Sequence, residues 1–215
     1  MLIAKGVKKA YGQLPVLKGI DLKVKKSEIV SIVGASGAGK STLLHMLGTL
    51  DEPDEGSISL NKKSLNRLSG KVKAKYRNQH IGFIFQFHNL LPEFTSLENV
   101  CIPGYIGKRN NVEEKAKQLL SKLGLGERMD HKPSELSGGE QQRVAVARAL
   151  INEPDIVFAD EPSGNLDSKN ARELHDLFFD LREEFGQTFV IVTHNEELAA
   201  MADRQLEIKD GLIVV

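Results

Sequence analysis

The chain has a single cysteine, Cys101, in 215 residues, so no disulfide can form within it, and such usage suits a reducing compartment. Flanked by Val100 and Ile102, that thiol is expected to be a small buried hydrophobe. Charge of one sign is not in excess: 29 Lys and Arg face 29 Asp and Glu. There is no summed positive field to make nucleic acid the main partner. No stretch approaches the roughly 20 apolar residues that span a bilayer, and Met1 to Gly6 lacks the apolar core of a secretory signal. The expectation is a soluble polypeptide that reaches a membrane only through other subunits. Repeats, low-complexity tracts and heptad runs are absent too, which excludes solenoids and long coiled coils. The length admits one α/β domain, with or without a smaller insert, but not two large independent domains.

What is present is an alternation of strand-like and helix-like segments. Ile3 to Val7, Ile20 to Val24, Ile29 to Val33 and Ser57 to Leu60 are short β-type runs, the last following the turn Pro53-Asp54-Glu55-Gly56. Ile81 to Phe85, Asp155 to Ala159 and Thr188 to Val192 are continuous apolar runs of the kind buried on both faces of a parallel sheet. Between Gln86 and Glu153 helix takes over. There Val112, Ala116, Leu119, Leu120 and Leu123 share one face, Asn111 and Glu114 have capping-box spacing, and Gly124 sits at the stop. Leu174, Leu177, Phe178 and Leu181 mark another helix, and Gln205 to Val214 reads as a hairpin turning at Asp210-Gly211. The basic run Lys71, Lys73, Lys75 and Arg77 reads as a solvated helix face.

The segment Gly34-Ala35-Ser36-Gly37-Ala38-Gly39-Lys40-Ser41 lies between the strand-like Ile29 to Val33 and the helix-like Thr42 to Leu47. Strand, glycine-rich loop and helix come in the order that a phosphate cradle needs. The glycines let backbone N–H groups close around phosphates, the helix presents its positive end, Lys40 reaches the β- and γ-phosphates, and Ser41 ligates Mg²⁺. A nucleoside triphosphate is therefore the expected ligand.

A phosphate loop alone fits a kinase, a GTPase, a helicase or a transporter motor, so the remaining polar residues decide. Asp160 and Glu161 end an apolar strand where ligands of open α/β sheets bind. Asp160 suits a Mg²⁺ ligand, and Glu161 suits a group that orients or deprotonates an attacking water. His194 closes the next apolar strand, either as a local hydrogen-bonding or capping residue or as a contact to the γ-phosphate. Gln86 ends Ile81 to Phe85, and its amide can touch Mg²⁺ or the water. Leu136-Ser137-Gly138-Gly139-Glu140-Gln141-Gln142-Arg143 is a second glycine turn entering a helix, with no lysine. Its serine and helix N-terminus suit a γ-phosphate held by another copy of the chain, so hydrolysis would require a dimer.

These motifs, in this order and spacing, resemble over essentially the full length those of the ATP-binding cassette ATPases, the nucleotide-binding subunits of ABC transporters. The resemblance implies a P-loop NTPase fold of the ABC ATPase type: a mixed α/β sheet core with an antiparallel β subdomain, and an inserted α-helical subdomain. In those terms 1–215 is one domain, with core and β subdomain in 1–86 and 154–215 and the helical subdomain in 87–153. It implies ATP and Mg²⁺ as cofactors. Gly34, Ala35, Ser36, Gly37, Ala38, Gly39, Lys40, Ser41 and Thr42 correspond to Walker A, Gln86 to the Q-loop, and Ser137, Gly138 and Gly139 to the signature motif. Asp160 closes Walker B, with Ser41 and Gln86 as its companions on the metal. Glu161 corresponds to the catalytic base, His194 to the switch histidine, and Tyr11 to the aromatic residue that stacks on adenine. Ser163-Gly164-Asn165-Leu166-Asp167 occupies the D-loop, departing from commoner forms at Ser163 and at Gly164-Asn165.

The glycine-asparagine D-loop is typical of the subgroup that holds lipoprotein-release, macrolide-export and cell-division ATPases. Phe85 to Val100, which contains Phe87, Leu90, Leu91 and Phe94, is most similar to the lipoprotein-release branch, as are Ile32 to Gly37 and Leu47 to Asp51. That implies a homodimer of ATPase subunits, two integral membrane subunits of the lipoprotein-release type, and a place at the cytoplasmic face of the inner membrane. The alternatives are a cell-division ATPase gating a periplasmic partner and a macrolide or peptide exporter ATPase. A nucleic-acid motor would need a coiled-coil insertion or a basic track, and neither is present.

Overall fold

The computed structural model describes residues 1–214, so the last residue of the expected 1–215 domain lies outside the described residues. The chain divides into two compact units, one built from residues 1–74 and the segment from 181 onward, the other from residues 75–180. Among the described residues no helix is long and apolar enough to cross a membrane.

In the first unit, β1 (Leu2–Tyr11), β2 (Leu14–Val24), β4 (Glu55–Leu60) and β5 (Lys63–Ser64) form an antiparallel sheet in the order β2-β1-β4-β5. Leu2, Ala4 and Val7 of β1 are buried while Lys5 and Lys8 are exposed, the alternation of a sheet with one wet face. Both leading strands are longer than their apolar runs. Lys8 to Tyr11 pair with Leu14 to Lys18 across the Gly12 turn; Lys8 and Lys9 interrupt the apolar pattern on the β1 side, and Pro15 breaks the apolar stretch Leu14 to Leu17 on the β2 side. A second set of strands runs β10 (Leu212–Val214), β9 (Arg204–Lys209), β3 (Ile29–Val33), β8 (Phe189–Val192), with β3 parallel to both neighbours. All four residues of β8 are buried, and so are the first four of β3, which is why both read as unbroken apolar runs. Asp210 and Gly211 turn the β9–β10 hairpin with φ of 52° and 79°, as a primed turn requires. Helices α1 (Lys40–Leu47) and α7 (Glu196–Met201) follow β3 and β8.

In the second unit, β6 (Ile81–Phe85) and β7 (Ile156–Asp160) pair in parallel, with Phe85 opposite Asp160. Helices α3 (Ser96–Ile106), α4 (Val112–Lys122) and α5 (Gly138–Leu150) pack together, and α5 also lies on β6. The helical segment 87–153 falls wholly inside this unit. Helices α2 (Gly70–His80) and α6 (Ser168–Phe185) begin in one unit and end in the other. The α4 face is as expected at Val112, Ala116, Leu120 and Leu123, all buried. The expected Asn111/Glu114 capping box does not form. Asn111 is left-handed at φ 54° and its side chain makes no cap bond, whereas a capping box needs an extended N-cap residue. True capping boxes start α3 at Thr95/Glu98 and α5 at Ser137/Glu140. The basic run on α2 is also not uniformly solvated: Lys71 and Lys75 are exposed, but Lys73 is ion-paired to Glu52.

Phe158 is fully buried on β7, two residues before Asp160, and its ring meets Phe83 at 5.8 Å between centroids. Phe158→Ala should cost about 3–5 kcal/mol by cavity formation, read as a shift in the urea unfolding midpoint. A shift equivalent to less than about 1 kcal/mol would mean that the ring is not part of a packed core.

Candidate functional site

The site residues fall into two groups, one in each compact unit. In the first unit, β3 delivers the chain into Gly34, whose φ is +147° and where a Cβ would stand 2.3 Å from the Ile208 carbonyl oxygen on β9. Only glycine passes there. The loop then crosses two more positive-φ glycines, Gly37 and Gly39, and enters α1 at Lys40. Gly39, the N-cap residue, offers no side-chain cap, and the first turn of α1 holds no acid. The leading N–H groups of α1 therefore lack the side-chain acceptor that most helices provide. Lys40 Nζ donates to the Gly34 and Ala35 carbonyls at 2.8 and 3.0 Å. Its ammonium is thus held over the loop itself. A concave run of N–H groups at a helix N-terminus with a lysine beside it has the chemistry of a phosphate cradle.

Tyr11, Ser41, Thr42 and His194 belong to the same unit. Tyr11, the last residue of β1, is half exposed, and its hydroxyl donates to Asp51. Ser41 is exposed on the first turn of α1. His194 lies just past β8 and is exposed. The helix that follows it is capped by Asn195, whose Oδ1 accepts from the Leu198 N–H at 2.8 Å. Capping therefore does not account for His194.

In the second unit the parallel register sets Phe85 against Asp160, so Gln86 and Glu161 leave adjacent strands at one level. Glu161 is left-handed at φ 47°, and its carbonyl accepts from the Gly164 N–H at 3.0 Å. For a residue with a Cβ this conformation is strained, and such strain concentrates at functional positions. Gln86 and Asn165 clasp each other: Gln86 Nε2 donates to Asn165 Oδ1 at 3.0 Å, and Asn165 Nδ2 donates to the Gln86 carbonyl at 3.2 Å. A Cβ on Gly164 would stand 2.9 Å from Gln86 Nε2, so a larger residue there would displace the movable end of that side chain from Asn165. Ser137 caps α5 by accepting from the Glu140 N–H at 3.3 Å, and Glu140 accepts in return from the Ser137 N–H at 2.8 Å. Those bonds from Ser137, with Arg128 adding to them, hold the Glu140 carboxyl below the usual range despite partial burial. In the second unit Gln86 and Asp160 offer an amide and a carboxylate, and in the first Ser41 offers a hydroxyl, each an oxygen donor of the hard kind that Mg²⁺ takes.

Four polar residues that frame these groups carry no sequence signal of their own. Gln142 is completely buried, and its Nε2 donates to the Phe85 carbonyl at 3.3 Å and to the Pro162 carbonyl at 2.6 Å. It ties α5 to the residues beside both Gln86 and Glu161. His175, buried on α6, meets Ser163 Oγ through Nε2 at 3.0 Å. Asn99, buried on α3, accepts from the Leu91 N–H at 2.8 Å and donates to the Leu91, Phe94 and Thr95 carbonyls. Arg148 holds the His88 and Asn89 carbonyls at 2.6 Å each. The segment after Gln86 is therefore fixed while Phe87, Leu91 and Phe94 on it stand 70, 43 and 40% exposed.

A family model described as ABC transporter matches residues 17–164. The lipoprotein-releasing system ATP-binding protein LolD of Cytophaga hutchinsonii is 62% identical over 216 residues, covering 100% of this chain and 99% of that protein. LolD of Bacteroides fragilis is 57% identical over 216 residues, covering 100% of both. Among solved structures, the dimeric bacterial ABC transporter cassette MJ0796 superposes with a TM-score of 0.92 at 41% identity, covering 100% of this chain and 97% of that one. A post-hydrolysis dimer of the same cassette, bound to ADP and Pi, gives 0.92 at 40% identity, with the same coverage.

The strain at Glu161 predicts opposite effects on fold and activity. Glu161→Gly should raise stability by about 1 kcal/mol, because glycine adopts φ near +50° without penalty, while nucleotide hydrolysis is lost. Urea unfolding and a phosphate-release assay on the same sample read both. A variant less stable than the parent would show that the Glu161 side chain contributes more to the fold than its backbone costs.

Proposed function

The chain belongs to the ABC transporter family, and we propose that within it the protein is the ATP-hydrolysing subunit of a lipoprotein-releasing system at the cytoplasmic face of the bacterial inner membrane. The observation that carries this reading is the extent of the likeness to lipoprotein-releasing ATP-binding proteins, which runs the whole length of the chain and so includes the segment after Gln86. That segment presents Phe87, Leu91 and Phe94 on a backbone held by Asn99 and Arg148. It is the surface on which two membrane subunits would dock, an exposed apolar cluster set in a rigid frame.

The residues divide the chemistry among them. Tyr11 stacks on adenine. The N–H groups from Gly34 to Thr42 receive the phosphates, and Lys40 exchanges the Gly34 and Ala35 carbonyls for phosphate oxygens, a stronger charge-assisted bond. Ser41, Gln86 and Asp160 would hold Mg²⁺, which would supply positive charge to offset the negative charge that builds on the phosphate oxygens. Glu161 takes a proton from the attacking water, and His194 contacts the γ-phosphate and fixes the water's geometry.

Two copies pair, so that each nucleotide also meets Ser137, Gly138 and Gly139 of the partner subunit. Ser137 is suited to this: its oxygen accepts within the α5 cap, and its hydroxyl proton remains to be donated. Closure of the dimer on ATP and its reopening after hydrolysis drive the membrane subunits, which extract the lipoprotein. The cargo itself does not touch this chain.

Two measurements test the reading. Glu161→Gln should keep ATP binding, lower hydrolysis by at least about 100-fold, and run as a dimer in ATP on size exclusion; hydrolysis at the parental rate would remove Glu161 from the base role. Purified from native membranes in mild detergent, the protein should bring down two related membrane subunits with large periplasmic domains, together with lipoprotein. A division-site membrane subunit in their place would overturn lipoprotein release in favour of a regulatory gate.

A further inference from the structure

Tyr11 poses a question that stacking alone does not answer. A phenylalanine would stack on a base as well, so the hydroxyl has another purpose. In the structure it donates to Asp51 Oδ2 at 3.0 Å. Asp51 comes just after α1, the helix that begins at Lys40, and its N–H reaches back to the His45 carbonyl at 3.4 Å. Its other carboxylate oxygen, Oδ1, accepts from the Glu52 N–H at 2.7 Å and from Lys9 Nζ at 3.3 Å. The Lys9 side chain is only 12% exposed, and its ammonium also donates to the Glu52 carbonyl at 2.7 Å. The same ammonium stands over the Tyr11 ring, 5.4 Å from its centroid, while the tyrosine as a whole remains 50% exposed.

Burial pushes the Asp51 carboxyl up, but hydrogen bonds from Glu52, Tyr11 and Lys9 outweigh it and hold the group below the usual carboxylate range. At neutral pH it is therefore an ionised acceptor, and its bond to the phenol is a charge-assisted one. A tyrosine at a strand end, followed by a glycine turn, would otherwise have to be immobilised when the nucleotide arrives, which weakens binding. Fixing the ring beforehand removes that cost.

We propose that Asp51, itself held by Lys9, is a positioning residue for nucleobase binding, keeping the Tyr11 ring set for adenine. The inference rests on the stacking role given to Tyr11 above. It assigns the end of the phosphate-loop helix a part in base recognition, so that one short helix serves the phosphates at its start and the base just past its end.

Isothermal titration of the full chain with Mg·ATP and with Mg·tripolyphosphate, which has the phosphates but no base, separates the roles. Tyr11→Phe and Asp51→Asn should each weaken Mg·ATP binding about three- to tenfold and leave tripolyphosphate unchanged. The double variant should be no weaker than the worse single one, because both cut the same bond. Tyr11→Phe alters one exposed hydroxyl, so the test stands even if Asp51→Asn fails to fold. If Tyr11→Ala loses ATP affinity while Tyr11→Phe and Asp51→Asn do not, the positioning role falls and stacking survives. If Tyr11→Ala binds ATP normally, both fall. An equal loss of tripolyphosphate binding would place the effect in the phosphate loop and overturn the inference.

Discussion

The close approach of Gly34 to the Ile208 carbonyl is the constraint on which the first unit depends. A side chain at position 34 would stand 2.3 Å from that oxygen, so β3 can leave its place beside β9 only through glycine. The left-handed path that glycine permits turns the chain back toward the sheet and starts α1 at Lys40, with the leading N–H groups uncapped. Three other helices contrast with this one: α3, α5 and α7 each have a side chain on the N-terminal N–H groups, from Thr95, Ser137 and Asn195, whereas α4, like α1, has none from its N-cap residue. With glycine as the N-cap residue, the missing side-chain cap lowers the stability of α1 by only about 0.3 kcal/mol. The Lys40 ammonium on the loop carbonyls offsets part of that, and in the proposed function an anion supplies the rest.

The second unit solves a different problem, keeping several loops in register without covering them. Parallel pairing of β6 and β7 sets Gln86 and Glu161 at one level. The loops that follow are then held by buried amides: Gln142 on the carbonyls of Phe85 and Pro162, Asn99 on those from Leu91 to Thr95. An amide buried in this way supplies its donors to backbone carbonyls at and beyond the strand ends, and its removal would cost about 1–3 kcal/mol for each carbonyl left buried and unsatisfied. Polar side chains inside the fold are therefore the means by which irregular backbone next to the site keeps one shape.

Much of this was legible in the amino-acid order. Apolar runs bounded by turn residues marked β3, β6, β7 and β8, because strands buried on both faces must be continuously hydrophobic. The Asp210-Gly211 hairpin and the Gly124 stop followed from backbone conformations that few residues tolerate. The ends of β1 and β2 were hidden, since Lys8 and Lys9 interrupt the apolar pattern of one arm and Pro15 reads as a strand breaker in the other. Asn111 and Glu114 had the right spacing for a capping box, but the cap depends on the backbone angle at Asn111, which local spacing does not fix. Gln142 sits in a run, Glu140 to Arg143, that reads as a polar helix start, although one of its glutamines is wholly buried. Asp51 lies 40 residues from the tyrosine it holds. Such partners are set by tertiary distance, to which composition and period are blind.

Gln142 also bears on how the proposed activity is coupled to a partner. Helix α5 begins at the Ser137 cap, carries Gln142 one turn in, and has in its last turn Arg148, which grips the carbonyls of His88 and Asn89. A load on the exposed Phe87 or Leu91 therefore reaches α5 through two buried or half-buried side chains rather than through a flexible loop. The same helix presents Ser137 and Gly139 at its other end. A 13-residue helix is stiff over about 20 Å, so displacement at its C-terminal end moves its N-terminal end as a body. In the proposed dimer, with Ser137 of the partner subunit at the γ-phosphate, the nucleotide contact and the docking surface would be two ends of one helix. A change in affinity that a ligand at one end caused at the other would be returned in equal measure, by reciprocal linkage.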